Sequence, residues 1–311
     1  MIETKGIVKR FGRVTAVDRA SFSVPGGAIC GFLGPNGAGK TTTIRMLVGA
    51  LAPDDGELWI DGMNPAALGA QVRRRVGYLA EESPVHPELT VEEFVGFRAR
   101  LYGVPRRERA KAVSHALDRC QIQDVRRRLC GQLSKGYRQR CGLAAAIAHS
   151  PRVIVLDEPT SGLDPAQVLE FRKLLRELSQ QATVLLSSHI LAEVEAVCDR
   201  AVLIHQGRVA AQGSLAQLRA QGASAAQLVV ETERDLAAEL AVLPGAHGVE
   251  STRMSDGWWK LRVHASGSNA DLAQAVGAAA MRSGSTVRRL EWQEATLESI
   301  FHALMRGQEN L

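Results

Sequence analysis

Gly34-Pro35-Asn36-Gly37-Ala38-Gly39-Lys40-Thr41 has the spacing GxxxxGK[ST], and Thr42 follows it. Glycines in such a run let backbone amides turn inward around phosphate oxygens. The helix that follows offers its positive end, and Lys40 adds a full charge on a mobile stem. The Thr41 hydroxyl is a hard oxygen donor of the kind Mg²⁺ accepts. The pattern also sits in the context it requires: the apolar run Ile29–Leu33 reads as a strand entering the loop, and a helix begins near Thr41. The chemistry these residues predict is the binding of a nucleotide's phosphates.

A second apolar strand, Val153–Leu156, ends in the carboxylates Asp157 and Glu158. Two acids there cost free energy unless a cation or a polar partner receives them. By itself such a pair is an ordinary solvated strand end; beside a phosphate loop, Mg²⁺ is the natural recipient. Asp157 would bind it directly or through water, while Glu158, on the other side, can orient or deprotonate an attacking water. His189 follows the strand Thr183–Leu186, at the sheet edge where open α/β folds gather ligands, so its imidazole can reach a γ-phosphate and that water. Leu133-Ser134-Lys135-Gly136-Tyr137-Arg138-Gln139 opens a helix, with Ser134 as hydroxyl cap and Gly136 permitting close backbone approach. It is either an ordinary helix start or, because helix N-termini attract anions, a receptor for a second chain's γ-phosphate.

The elements that must position these residues are legible in outline. Residues 1–220 alternate β-rich runs with helical stretches, the pattern of an α/β fold with a largely parallel sheet. Ala20–Val24 and Glu57–Asp61 alternate in polarity instead, which predicts a small antiparallel β layer. From about 85 to 150 the signals turn helical, with a capping box at Thr90-Val91-Glu92-Glu93, giving a helical subdomain. Residues 225–311 restart as β-α-β-β-α-β, a ferredoxin-like α+β unit. Its hairpin turns at Asp256-Gly257, and its second helix is capped by Ser268 or Asn269. A last helix carries Leu297, Ile300, Phe301 and Leu304 on one face.

Composition sets outer bounds. With 311 residues, 45% hydrophobic and 23% charged, the chain suits one large or two moderate globular domains and excludes fibrous or wholly disordered classes. A net charge of +5 with no aromatic-interleaved basic stripe argues against direct nucleic-acid binding. No run reaches the ~18 apolar residues of a membrane span, and the first residues carry no signal-peptide pattern. Five cysteines without a CxxC pair suggest buried thiols rather than zinc ligands or disulfides.

In this order, the phosphate loop, Leu133–Gln139, the strand ending in Asp157-Glu158, Ser161-Gly162-Leu163-Asp164 and His189 make residues 1–220 resemble the ATP-binding subunits of ABC transporters. The resemblance implies that Gly34–Thr42 is the Walker A motif and that Val153–Glu158 is the Walker B motif. Leu133–Tyr137 would then be the signature, Ser161–Asp164 the D-loop, His189 the switch histidine, and Phe11 the aromatic residue that stacks on adenine. It further implies Mg²⁺ and ATP as cofactor and substrate, and head-to-tail pairing of two nucleotide domains, as a homodimer or a heterodimer. It implies separate transmembrane permease subunits docking near Glu81–Thr90 and the helical subdomain, and a cytoplasmic place on the inner face of the membrane. Two positions depart from the pattern. Glu81 stands where a glutamine is usual, keeping an oxygen for Mg²⁺ but adding charge, and the signature reads LSKGY, with Lys135 as an extra cation. That variant resembles the drug, polysaccharide and gliding-motility exporter subclass. In that subclass, domains like residues 225–311, with Ala295–Phe301 near the end, regulate ATPase activity, stabilise the dimer or only pack. The competing expectation, a soluble ATP-dependent mechanical protein acting on nucleic acid or ribosomes, would show as co-purifying nucleic acid lost at high salt.

Overall fold

A computed structural model describes residues 1–82, 85–221, 226–265 and 270–293. The chain divides into two compact units, Met1–Gly213 and Ser214–Leu311. The first runs β1 (Ile2–Phe11), β2 (Val14–Val24), β3 (Ile29–Leu33), α1 (Lys40–Leu47), β4 (Asp55–Ile60), α2 (Pro65–Arg73) and β5 (Val76–Leu79). Helices α3 (Val91–Leu101), α4 (Arg106–Arg119) and α5 (Lys135–Ile147) follow without an intervening strand, as the helical stretch predicts. The unit then returns to alternation with β6 (Val153–Leu156), α6 (Pro165–Ser179), β7 (Thr183–Ser188), α7 (Leu191–Val197), β8 (Arg200–His205) and β9 (Arg208–Ser214).

Two sheets arise from the two polarity patterns. Strands β2-β1-β4 form the antiparallel layer, whereas β5-β6-β7-β3-β8-β9 form a six-stranded sheet in which β5, β6, β7, β3 and β8 pair in parallel. Every residue of β3, β6 and β7 is buried, the signature of parallel strands covered on both faces. One core joins the layers: Phe22 of β2 meets Phe32 of β3 with ring centroids 5.3 Å apart. The strand order places the C-terminal ends of β3, β6 and β7 side by side, and the loops that leave those ends carry the candidate residues.

Local chemistry fixes the helix starts. Thr90 and Glu93 make the reciprocal capping box of α3, and Ser134 Oγ accepts the Tyr137 N–H at the start of α5. Asp164 caps α6 ahead of Pro165, a residue suited to a first helical turn because the amide it lacks has no partner there. Phe171, Leu174, Leu175 and Leu178 then bury one stripe of α6.

The second unit begins with α8 (Leu215–Gln221) and continues with β10 (Ala226–Thr232), α9 (Ala237–Ala241), β11 (Ala246–Arg253), β12 (Trp259–Ala265), α10 (Ala270–Arg282) and β13 (Val287–Gln293). Its strands lie in the order β11-β12-β10-β13 with every neighbour antiparallel, the arrangement of a ferredoxin-like unit. Gly257, with φ 89°, turns the hairpin between β11 and β12. Leu228, Val230, Leu261 and Val263 pack with Leu272 and Val276 of α10 in a separate core. The proposed cap at Ser268 or Asn269, the Ala295–Phe301 segment and the stripe Leu297, Ile300, Phe301 and Leu304 lie outside the described residues.

All five cysteines are buried free thiols, and burial pushes Cys30 and Cys120 up to about 12. Among the described residues no helix is long and apolar enough to cross a membrane. His149, just past α5, stacks on Tyr102 with centroids 4.3 Å apart and donates from Nε2 to Val76 O at 3.3 Å. Burial lowers its pKa from 6.5 to about 4, so it folds as the neutral ring. The unfolded chain binds that proton more readily, so the stability His149 contributes is whole above pH 6.5 and is lost as pH falls through about 4. His149→Phe should flatten this part of the pH dependence, read as the difference in thermal midpoint between wild type and variant at successive pH values.

Candidate functional site

The loop between β3 and α1 is shaped by glycines at two points. Gly37 and Gly39 have φ of 80° and 101°, a region that side chains disfavour, and a β-carbon on Gly39 would overlap Ala16 O. Gly207, in the turn between β8 and β9, donates its N–H to Ala38 O at 3.0 Å and accepts from Asp18 N at 2.9 Å. The loop is thereby clamped between the antiparallel layer and the far end of the parallel sheet. Lys40 is only 6% exposed, and its Nζ donates to Gly34 O at 2.8 Å and Pro35 O at 3.3 Å.

Opposite the loop, the ends of β6 and β7 are joined by one hydroxyl. Ser187 Oγ donates to Asp157 Oδ1 at 2.7 Å and accepts the Glu158 N–H at 2.8 Å. Glu158 adopts φ 46°, a left-handed conformation that costs a non-glycine residue roughly 1–3 kcal/mol and persists only where neighbours enforce it. Its carboxylate bridges two cations or donors: Oε1 lies 3.4 Å from Lys40 Nζ, and Oε2 accepts from His189 Nδ1 at 2.9 Å. The strained backbone thus aims the carboxylate at the phosphate loop, while Asp157 stays 2% exposed behind it.

These groups surround one cavity of about 230 Å³, lined by Ala16, Pro35, Asn36, Gly37, Gly39, Lys40, Thr41, Thr42, Glu81, Glu158 and His189. Of the residues expected there, Gly34, Ala38 and Asp157 stand behind the lining. Gly34 and Ala38 serve through their carbonyls, to Lys40 and Gly207 respectively. Phe11 is not among the lining residues; it is 52% exposed, with Lys9 Nζ 5.9 Å from its ring centroid. Ser134 and Gly136 open α5, also outside this cavity. Ala16 is the lining residue that sequence reasoning missed, since a small side chain in a β-strand carries no motif. A second cavity of about 340 Å³, lined by Val48, Tyr78, Leu79, Phe94, Arg98 and Tyr102 among others, was equally illegible because its walls come from distant segments. Burial, with Asp157 nearby, pushes Tyr78 there up to about 12.

The donors near Lys40 are oxygens: the Thr41 hydroxyl and the carboxylates of Glu81, Glu158 and Asp157. That is a set for a hard cation. Among the described residues no cluster of three or more His, Cys, Asp and Glu side chains is placed to hold a metal ion.

Comparison with known proteins gives a consistent result. Residues 17–161 match the family described as ABC transporter. The chain is 37% identical over 211 residues, 67% of its length and 68% of the relative's, to the bacitracin transport ATP-binding protein BcrA of Bacillus licheniformis. It is 30% identical over 312 residues to BcrA of Enterococcus faecalis, covering 99% of this chain and 97% of that protein. A solved ATP-binding subunit of an ABC transporter superposes with a TM-score of 0.66 at 31% identity, covering 71% of this chain and 92% of that one.

Removing the hydroxyl that joins the two strand ends should be costly. Ser187→Ala leaves a buried carboxylate and a buried N–H each short of a partner, and should lower unfolding free energy by about 1–3 kcal/mol, measured by denaturant titration. An unchanged midpoint would show that the bridge contributes nothing.

Proposed function

The chain belongs to the ATP-binding subunits of ABC transporters, and from that premise we propose that it binds and hydrolyses ATP to drive a substrate, in the export direction, through separate permease subunits. One observation carries the reading: a single carboxylate, Glu158, stands between the phosphate-loop lysine at 3.4 Å and His189 at 2.9 Å, in the cavity that the loop itself lines.

From these positions each group has a defined task. Backbone amides of Gly37 to Thr42 and the N-terminus of α1 hold the phosphate oxygens, and Phe11 stacks on the adenine. An incoming phosphate competes with Glu158 for the Lys40 ammonium, which draws Lys40 to the triphosphate and frees the carboxylate. Glu158 then orients the attacking water and accepts its proton, while His189 donates to the γ-phosphate and steadies the water. Thr41, Glu81 and Asp157 would hold Mg²⁺, whose charge neutralises the phosphates during transfer. Ser134 and Gly136, outside the lining of this cavity in the same chain, face the γ-phosphate of a second copy or a related chain. Binding therefore closes the pair and hydrolysis opens it.

The cavity beside Tyr78, Phe94 and Arg98 lies at β5 and α3, on either side of Glu81–Thr90, and a mainly apolar recess with two arginines, Arg73 and Arg98, at its wall suits a helix of a permease subunit. Such docking would keep the chain peripheral on the cytoplasmic face of the membrane. The unit Ser214–Leu311 is an accessory domain, a reading supported by the near full-length match to the Enterococcus faecalis protein.

Glu158→Gln should slow ATP hydrolysis by about a hundredfold or more, the scale of general-base catalysis, while trapping an ATP-bound dimer visible by size exclusion. A variant that stays monomeric with ATP would count against pairing. Lys40→Ala should weaken nucleotide binding by about 10- to 100-fold, the worth of a hydrogen bond to a charged group; unchanged affinity in a fluorescent-nucleotide titration would contradict its assignment.

A further inference from the structure

Glu158 and His189 each lie close in sequence to a hydroxyl, and the two hydroxyls meet on one carboxylate. Thr160, two positions after Glu158, donates from Oγ1 to Glu193 Oε2 at 2.5 Å. Ser188, directly before His189, places its Oγ 3.3 Å from the same oxygen. Its single proton is shared with Ile190 O, also 3.3 Å away, while the oxygen accepts the Ile190 N–H at 2.9 Å. The loops after β6 and β7 thus share an acceptor on α7 as well as the Ser187 bridge at their strand ends. The Ser161 N–H, donating to Glu158 O at 3.1 Å, folds the first loop back and brings Thr160 within reach.

The acceptor is itself anchored. Val194, next to Glu193, is fully buried, and a β-carbon on Gly31 of β3 would stand 2.3 Å from Val194 Cγ1 and 2.9 Å from Val194 Cγ2. Glycine at position 31 therefore lets α7 lie closer to β3 than any other residue would allow. Because β3 is the strand that enters the phosphate loop, Glu193 is fixed relative to that loop while its oxygen holds the two loops opposite. Chain and bonds close a ring. Glu158 leads along the backbone to Thr160, Thr160 and Ser188 both reach Glu193, and His189, next to Ser188, returns from Nδ1 to Glu158 Oε2 at 2.9 Å.

We propose that Glu193 is a positioning residue for hydrolysis, aligning the His189 imidazole with the Glu158 carboxylate by holding Thr160 and Ser188 on one oxygen. The catalytic half of this inference rests on the function proposed above. The need for such a hold follows from exposure: 47% of the His189 side chain is open to solvent, so packing alone does not fix the ring. Its direction depends on the backbone beside Ser188 and on its bond to Glu158. A hydroxyl donating to a carboxylate makes a shorter and stronger bond than one donating to a neutral acceptor, and the Thr160 arm has that length.

The test uses the purified full-length chain with four variants: Glu193→Ala, Thr160→Val, which keeps the shape without the hydroxyl, Thr160→Ser, which keeps the hydroxyl, and the Glu193→Ala/Thr160→Val double variant. Nitrogen NMR of the imidazoles in ATP-free protein, in mildly alkaline buffer and with His189 assigned by its absence in His189→Ala, reads which ring nitrogen carries the proton. It should be Nδ1 in wild type and Thr160→Ser, and should move to Nε2 in Glu193→Ala and Thr160→Val. ATP turnover should fall by about tenfold in each of the latter two at nearly constant KM, within the ~10²-fold that a 1 Å misplacement can cost, and Thr160→Ser should match wild type. The double variant should be no slower than Glu193→Ala, because both changes remove the same contact. A proton that stays on Nδ1 in both Glu193→Ala and Thr160→Val overturns the alignment, as does a wild-type ring protonated on Nε2. Losses that multiply in the double variant overturn the shared hold. Should Glu193→Ala fail to fold, Thr160→Val against Thr160→Ser decides the same contact from its other side. A wild type that hydrolyses no more ATP than Lys40→Ala overturns the function proposed above and the catalytic half with it, while the NMR result still decides the alignment.

Discussion

Lys40 and Glu158, with side chains 6% and 9% exposed, face each other across 3.4 Å between two loops that leave different strands. Removing both charges from water costs several kcal/mol per ion, which their attraction offsets only where further hydrogen bonds complete each group. Those bonds are present: the Gly34 and Pro35 carbonyls receive the ammonium, and His189 donates to the carboxylate. The pair ties β3 to β6, and the arrangement around it follows from the need to keep both ends in place. Ser187 must bridge Asp157 to the Glu158 amide, Glu158 must accept a left-handed backbone, and Gly39 must lack a side chain so that the loop can press against Ala16. Such an ion pair contributes little net stability. On the function proposed above its value lies in being exchangeable: a phosphate would offer Lys40 a stronger partner, and the carboxylate it gives up would be the base for hydrolysis.

What the sequence made legible here was whatever depends on adjacent residues. The phosphate loop, the carboxylates after β6 and the capping box at Thr90 are each written within eight consecutive positions, and each takes the form its spacing predicts. The all-apolar runs of β3 and β6 announced two-sided burial, and the alternating runs announced the antiparallel layer. Contributions from distant segments were out of reach. Nothing about Ala16 marks it as a cavity wall, and Gly207 as the clamp on Ala38 follows only from the sheet order that sets β8 beside β3. Ser187 reads as one residue of a strand end, yet it decides the backbone of Glu158. The glycines of the loop are also unequal in a way that spacing does not reveal: Gly37 and Gly39 supply conformation and Gly34 supplies a carbonyl.

The start of α5 raises the same question on a second surface. A helix tip proposed to receive a phosphate from outside the chain is separated from Glu158 by more than twenty residues of sequence. Two polar contacts bridge that gap: Gln139 donates to the carbonyl of Pro159, directly after Glu158, and Arg140 pairs with Glu170 of α6. The first is buried, so breaking it leaves polar groups without water to replace the bond. A displacement there would be felt at the strained φ of Glu158. A residue held at positive φ by a few neighbours is the point where a small shift in backbone costs most. The strain makes the carboxylate sensitive to its backbone, and the Gln139 contact lets α5 bear on that backbone.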